Sequence, residues 1–532
     1  LLWKGRDKVE TVWRSTIGDL LRRSARRFPD KHALLFEERS WTYRELDEAT
    51  DRLAGRLSAL GLQKGDRVAA YGRNSDAYVL LWLAAGKAGL IHVPVNYALQ
   101  GEELMYILQQ SGSRAVFCDP GLKDGVESLG DRIGIDWIGT LHGSESLDIL
   151  QWAQEETKAE WTGVELEDTD LVQLLYTSGT TSAPKGAMMT YRALLHEYIS
   201  CINALDFQPT DTPLHAFPLY HSAQMHVFLM PYLMLGASNR ILETPQPEQV
   251  LRILNDEGID SFFAPPTFWI SLLNQPGFHL PHLKKGYYGA SIMPVQVLKK
   301  LQERCPNLGL YNCFGQSEIA PLATVLPPEE HKTRPDSAGR PVLFVEMRVV
   351  DEMMEDVSPG EVGEIVYRSP QLCQGYWEKP EETAAAFTGG WFHSGDLARV
   401  DEEGYITIVD RKKDVINTGG VLVASREVEE VLYTHPGVKE VAVIAVPDPR
   451  WVEAVTAVVV RKEGAVVNAE ELITHCRQHL APFKVPKAVR FVDDLPRNAS
   501  GKILKRVLRD TFTKKEKEKN KYFSANNEGY LW

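Results

Sequence analysis

Residues 171–187, LVQLLYTSGTTSAPKGA, join an apolar, strand-prone run to a cluster of hydroxyl residues, glycines and one lysine. Beyond Tyr176, the side chains of Thr177, Ser178, Gly179, Thr180 and Thr181 are all small. Successive backbone N–H groups in such a loop form a concave anion site. The hydroxyls add donors, and Lys185 adds a point charge suited to phosphate. The pattern is not a Walker A loop, in which Gly-Lys is followed at once by Ser or Thr at a helix start. Here Lys185 precedes Gly186 and Ala187. A flexible Ser/Thr/Gly linker has the same composition, so the choice between the two readings rests on the rest of the chain.

The chain has 532 residues, more than one core accommodates, so two or more domains are expected. A hydrophobic fraction of 44% and a charged fraction of 25% are ordinary for a globular protein. A net charge of −13 argues against a general nucleic-acid binder. The six cysteines, at 118, 201, 305, 313, 373 and 476, form no CxxC pair, which points to a reducing compartment and no structural zinc. The most apolar stretch, residues 77–95, carries Lys87 and His92, so no transmembrane segment is expected. A cytoplasmic location is the expectation.

The phosphate loop needs a scaffold, and the flanking pattern supplies one. Apolar residues at helical spacing alternate with short β-prone runs through about residue 325, which argues a mostly parallel sheet covered by helices. Thr42 with Glu45 reads as a capping box opening a helix. Residues 121–168 are weakly patterned and read as peripheral, whereas 227–236 read as a buried helix. From about 340 to 410 the residues alternate with period two, as in a small antiparallel barrel. The charged run 410–414 reads as a domain boundary, dividing an N-terminal domain, 1–411, from a C-terminal domain, 412–532. The second is α+β, with a solvated basic tail.

Five stretches in this order resemble the adenylate-forming superfamily of acyl-CoA synthetases, adenylation domains and firefly luciferase. They are YTSGTTSAPKG (176–186), YNCFGQSE (311–318), WFHSGDLA (391–398), DRKKDVINTGG (410–420) and NASGKILKR (498–506). The resemblance runs from WTYRELDE (41–48) to Arg506 and is closest to bacterial fatty-acyl-CoA ligases. It implies an α/β fold in which a large domain of parallel-type sheets, with a small antiparallel barrel, carries a small mobile lid. It implies a reaction in which a carboxylate attacks the α-phosphate of ATP, with Mg²⁺, and coenzyme A then takes the acyl group. Such chemistry needs positioning and charge neutralisation more than covalent help from the protein.

Residue by residue, the resemblance assigns Thr177 to Thr181 and Lys185 to the β- and γ-phosphates, Ser317 to phosphate and Glu318 to Mg²⁺. Gly289, Ala290, Ser291, Asn312, Cys313, Phe314 and Gly315 match the adenine pocket, and Asp396 and Arg411 match the ribose contacts. Lys502 matches the lysine that bridges carboxylate and α-phosphate, and Lys413 matches the hinge. Gly419 and Gly420 match the face used in the thioester step. The chain departs from the family just after them, where Val421 and Leu422 replace a commonly polar pair. His221 stands where amino-acid-activating relatives carry Asp, which argues against an amino-acid substrate. Met225, Val227, Phe228 and Phe263 read equally as an apolar acid pocket or as ordinary core.

The expected activity is an ATP-dependent acyl-CoA ligase for an apolar acid, first a medium- or long-chain fatty acid. An aryl-CoA ligase and an acyl-AMP ligase loading a carrier protein are the alternatives within the class. A nucleotide-binding regulatory module without turnover is the alternative outside it, and a luciferase-like oxidation shares the motifs. A homodimer is an admissible assembly.

Overall fold

The strand–helix alternation before residue 325 resolves into two mostly parallel sheets. The computed structural model describes residues 14–143, 146–155, 163–177, 183–291, 293–419, 421–497 and 503–514. These fall into two units, Leu1–Met347 with Tyr367–His393, and Arg348–Val366 with Ser394–Trp532.

In the first unit a six-stranded sheet runs, in spatial order, Trp137–Thr140, Ser113–Cys118, Arg67–Tyr71, Ile91–Val95, Leu171–Thr177 and Lys185–Thr190. All its pairings are parallel except the last, a hairpin that holds Thr177 opposite Lys185. The strand Trp137–Thr140 lies in the segment expected to be peripheral. Four residues with one glycine give too short a pattern to read, yet the strand extends the sheet in parallel. A nine-stranded sheet contains a parallel centre of His32–Phe36, Asn239–Ile241, Pro213–His215, Ser261–Phe263, Lys285–Gly289 and Gly309–Gly315. Antiparallel strands close both its edges.

Every residue of the helix Asp76–Ala88 is buried. A helix apolar all round belongs in a core, and its charged members are paired as burial requires. Asp76 accepts from Arg39 Nε at 2.8 Å and from Trp41 Nε1 at 2.9 Å. Lys87 Nζ donates to Asp47 at 2.6 Å and to Asp51 at 2.7 Å. Among the described residues no helix is long and apolar enough to cross a membrane. The capping box forms as expected, with Glu45 N–H donating to Thr42 Oγ1 and Thr42 N–H to Glu45.

The apolar stretch read as one helix over 227–236 has a different local form. It is a π-helix, Ala223–Leu229, continued by the α-helix Met230–Leu235. Apolar spacing does not distinguish the two hydrogen-bond ladders, and π-turns concentrate at functional sites. A chain of buried polar groups links this helix to the strand that precedes the phosphate loop. Tyr198 Oη lies 2.9 Å from His226 Nδ1, and His226 Nε2 lies 2.7 Å from Gln173 Oε1. Gln173 Nε2 in turn lies 3.1 Å from His92 Nδ1. Burial draws both imidazoles down to about 3, so they are neutral at physiological pH.

The second unit carries the antiparallel stretch as a four-stranded sheet in chain order, Glu346–Val350 to Ile406–Arg411. A five-stranded sheet follows, with Val438–Asp448 and Val452–Arg461 as its long central hairpin. The strand Ala488–Phe491 joins that hairpin in parallel. Ile416, Val428, Leu432, Val443, Val455, Leu472 and Val489 are among the residues of its own core.

The Trp82 ring stands edge-on to both neutral histidines, with centroids 5.2 Å from His92 and 5.5 Å from His226. Trp82→Ala opens a cavity against two polar groups and is expected to destabilise the first unit by about 3–5 kcal/mol. Denaturant unfolding should show this as a lower midpoint for that unit, with the second unit's transition unmoved.

Candidate active site

Ligands of open α/β sheets bind beyond the carboxyl ends of parallel strands, and the candidate residues of the first unit lie there. The strand Leu171–Thr177 ends at the phosphate loop, Lys285–Gly289 ends at Ala290 and Ser291, and Gly309–Gly315 leads to Ser317 and Glu318. The strand Pro213–His215 leads, through residues 216–220, to His221.

Glu318 occupies the short 3₁₀ turn Ser317–Ile319. Its Oε1 accepts from Tyr376 Oη at 3.1 Å, and its carbonyl accepts from Cys373 N–H at 2.8 Å. The face of the same Tyr376 ring receives the Lys185 ammonium, 5.1 Å from its centroid. The ring therefore stands between a cation and a carboxylate. Burial, and then the neighbouring carboxylate, push the Tyr376 phenol far above its ordinary value, so it stays a donor. The same two causes push the Cys373 thiol up to about 12. Residues 374–377 add to the hairpin edge, with Gln374 N–H on Met188 O at 3.0 Å and Trp377 N–H on Gly186 O at 2.8 Å.

The turn before the π-helix is fastened to the same place. Ser222 Oγ lies 3.0 Å from Ser317 Oγ. Asn74 accepts from Leu219 N–H at 2.7 Å and donates to Phe217 O at 2.9 Å, which fixes the backbone leading to His221. His221 Nδ1 accepts from Ala223 N–H at 3.2 Å, so a neutral His221 ring carries its proton on Nε2.

Among the residues matched to adenine, the backbone sets the glycines. A Cβ on Gly289 would meet Cys313 O at 2.3 Å, and one on Gly315 would meet Pro321 O at 1.9 Å. Ala290 sits at φ 62° and is exposed with Ser291 at the strand end. Asn312 Nδ2 donates to Ser337 O at 2.9 Å, Cys313 is buried, and Phe314 is partly open. Ser178, Gly179, Thr180 and Thr181 lie outside the described residues, as do Gly420 and Lys502.

Asp396 and Arg411 belong to the second unit and face each other as cross-strand partners. Arg411 Nε lies 3.0 Å from Asp396 Oδ1, and Asp396 is 4% exposed. Lys413 follows, its ammonium drawn down to about 8 by burial and by Arg411. Gly419 adopts φ +66° and donates to Trp451 O at 2.6 Å. Lys505 reads in the sequence as one more lysine of a basic C-terminal region, yet its side chain is only 16% exposed. Lys505 Nζ lies 2.8 Å from Glu429 and 2.6 Å from Ser425 Oγ, and Asp410 accepts from the same Ser425 hydroxyl at 2.7 Å. Burial lowers its pKa, but Glu429, Asp410 and Asp414 outweigh that and raise it overall.

Sequence reasoning missed Tyr376 and Lys505 as parts of the site regions. The signal available for Tyr376 was an aromatic pair in a turn-rich run, GYWEKPEE. No group of three or more His, Cys, Asp or Glu side chains among the described residues could hold an ion by itself. Mg²⁺ is commonly held by one or two carboxylates together with substrate phosphates, and a lone carboxylate such as that of Glu318 fits it.

The model of the AMP-binding enzyme family matches residues 21–377, and that of the AMP-binding enzyme C-terminal domain matches 427–502. A feruloyl-CoA synthase of Amycolatopsis sp is 36% identical over 493 residues, covering 92% of this chain and 98% of that protein. A long-chain-fatty-acid–CoA ligase of Escherichia coli O157:H7 is 33% identical, covering 92% and 94%. The ATP-bound structure of MatB from Rhodopseudomonas palustris superposes with a TM-score of 0.87 at 31% identity, covering 93% and 99%. With both family models matched in order and relatives aligned over nine-tenths of its length, the chain belongs to the AMP-binding enzyme family and is an AMP-forming acid–thiol ligase that uses ATP and Mg²⁺.

Proposed function

We propose that this chain adenylates an apolar carboxylic acid and transfers the acyl group to coenzyme A. The observation that carries the reading is the Lys185–Tyr376–Glu318 arrangement at the carboxyl ends of the strands. Lys185, with the hydroxyls of the loop 177–181, takes the β- and γ-phosphates, and Glu318 takes the metal. Bound Mg²⁺ neutralises phosphate charge as the two anions approach. His221 lies near the acid, Ser317 donates to phosphate, and Asp396 and Arg411 take the ribose. Lys502 supplies the cation between carboxylate and α-phosphate, where charge must be crowded together. The division into 1–411 and 412–532, with Lys413 as hinge, belongs to the same proposal, as does a cytoplasmic location.

For the acid, the sequence favours a fatty chain, while the feruloyl-CoA synthase of Amycolatopsis sp, 36% identical, speaks for an aryl one. Behind the His221 turn, Phe228 and Phe263 stack at 4.6 Å, and Phe217 meets Phe263 and Phe268 at 5.9 and 5.1 Å. The space that Phe228 and Phe263 line with His215, Gln224 and Tyr287 has no room for a water molecule, so an acid enters there only as these rings move.

For the thiol, coenzyme A fits better than a carrier protein. On the second unit, Trp451 has Arg450 and Lys487 over its ring at 4.8 and 5.0 Å. Val421, Leu422 and Val452 nearby in the fold are exposed, on two strands that each pair with the intervening strand Ile416–Thr418. A ring flanked by cations suits a phosphorylated adenine nucleotide, and an apolar edge suits a pantetheine arm.

Four outcomes check this. A panel of alkyl and aryl acids should give acid-dependent pyrophosphate release, with aryl acids the better substrates by kcat/KM. If none of them supports release, the reading of a nucleotide-binding module without turnover stands instead. Lys502→Ala should abolish adenylate formation yet largely spare thioester formation from supplied acyl-AMP; equal loss of both would contradict its assigned role. Trp451→Ala should raise the KM for coenzyme A about tenfold, as lost ring stacking would, while leaving acid-dependent pyrophosphate exchange unchanged. Tyr376→Phe keeps the ring but loses the bond to Glu318, and should raise the Mg²⁺ requirement of that exchange by about tenfold.

A further inference from the structure

We propose that Glu197 is a positioning residue for Glu318. This rests on the reading of Glu318 as the metal carboxylate and adds to it what holds that carboxylate in place. Glu197 lies on the helix Tyr191–Ala204 and is 0% exposed. Among the described residues it has no cationic partner. Its carboxyl group takes three donors instead: Leu322 N–H at 2.9 Å, Gln371 Nε2 at 2.6 Å and Cys201 Sγ at 3.3 Å.

These donors flank the Glu318 turn. Leu322 begins the strand that follows the turn. The Gln371 amide also reaches Leu322 O at 3.1 Å and Ile319 O at 3.4 Å, so one buried side chain spans the turn's exit. Ser200 Oγ, three residues along the same helix, donates to Gln371 Oε1 at 2.6 Å and sets the orientation of that amide. Gln371 is itself 0% exposed. It begins the segment that contributes Cys373 N–H to Glu318 O and Tyr376 Oη to Glu318 Oε1. The helix, the Gln371 amide and the Glu318 turn thus form one hydrogen-bonded block.

An apolar side chain at 197 would serve packing alone, and a buried carboxyl group without a cation is costly to keep. What the carboxyl group supplies is two acceptor oxygens for two donors that hold the turn from opposite sides. Groups outside a metal ligand that orient it in this way commonly account for 10–100-fold in metal affinity. Glu197 acts through Glu318 and touches neither nucleotide nor acid.

The test is calorimetric binding of a non-hydrolysable ATP analogue to the full chain, with Mg²⁺ and with EDTA. The ratio of the two affinities is the metal increment. Glu197→Ala is expected to cut that increment about tenfold and leave the metal-free affinity within twofold. Gln371→Ala should do the same, and the double variant should be no worse than the larger single loss, because both act through one turn. Ser200→Ala, a milder change, should cut the increment about threefold and decides the matter if Glu197→Ala does not fold. An undiminished increment in these variants, or parallel loss of metal-free affinity, overturns the proposal. Glu318→Gln separates the two levels. If it abolishes the increment while Glu197→Ala keeps it, only the positioning role falls; if it keeps the increment, the reading of Glu318 falls and the proposal with it.

Discussion

A site that must grip a polyphosphate with a lysine and its metal with a glutamate faces one constraint: the two side chains must not neutralise each other first. Tyr376 meets that constraint. Its ring face takes the Lys185 ammonium and its hydroxyl takes Glu318. A cation over an aromatic face gains about 0.5–2 kcal/mol, well below what a desolvated ion pair would demand to be broken. Both charges are thus ordered but remain available to a ligand. Neither Lys185 nor Glu318 makes an ion pair with another described residue. The rest of the first unit serves this geometry. The hairpin places Lys185 opposite Thr177, residues 374–377 add to the hairpin edge, and the Glu318 turn is bonded to the same segment.

The second unit handles charge in the opposite way. There the cations are matched to carboxylates. Arg411 pairs with Asp396, Arg509 with Asp414, and Lys505 with Glu429. Lys505 lies three residues beyond Lys502 and is tied through Ser425 to Asp410, next to Arg411. The exposed surface of the same unit is apolar at Val421, Leu422 and Val452.

Much of the architecture was legible because it rests on periodicity. Alternating strands and helices, the Thr42–Glu45 capping box and the change to antiparallel pairing near residue 346 all leave marks in a short window. The motif residues were legible only as a set, and their roles came from resemblance rather than from spacing. What escaped the sequence are features that depend on tertiary partners. Glu197 sits in HEYIS, where a carboxylate looks like a solvated helix face, and only the fold brings Leu322 and Gln371 to it. Tyr376 follows a glycine in a loop and gains meaning from Lys185 and Glu318, far away in the chain. The π-helix Ala223–Leu229 is hidden because five- and four-residue ladders bury similar apolar positions. Lys505 was masked by the basic residues around it.

Adenylation by the proposed route joins a carboxylate oxygen of the acid to the α-phosphate of ATP. Running the reaction with an ¹⁸O-labelled acid substrate, Mg²⁺ and ATP, and weighing the AMP by mass spectrometry, follows that bond directly. The account predicts one ¹⁸O atom in each AMP formed, whether or not coenzyme A is present to draw the adenylate onward. Label absent from AMP, or ADP in place of AMP as the nucleotide product, would contradict it.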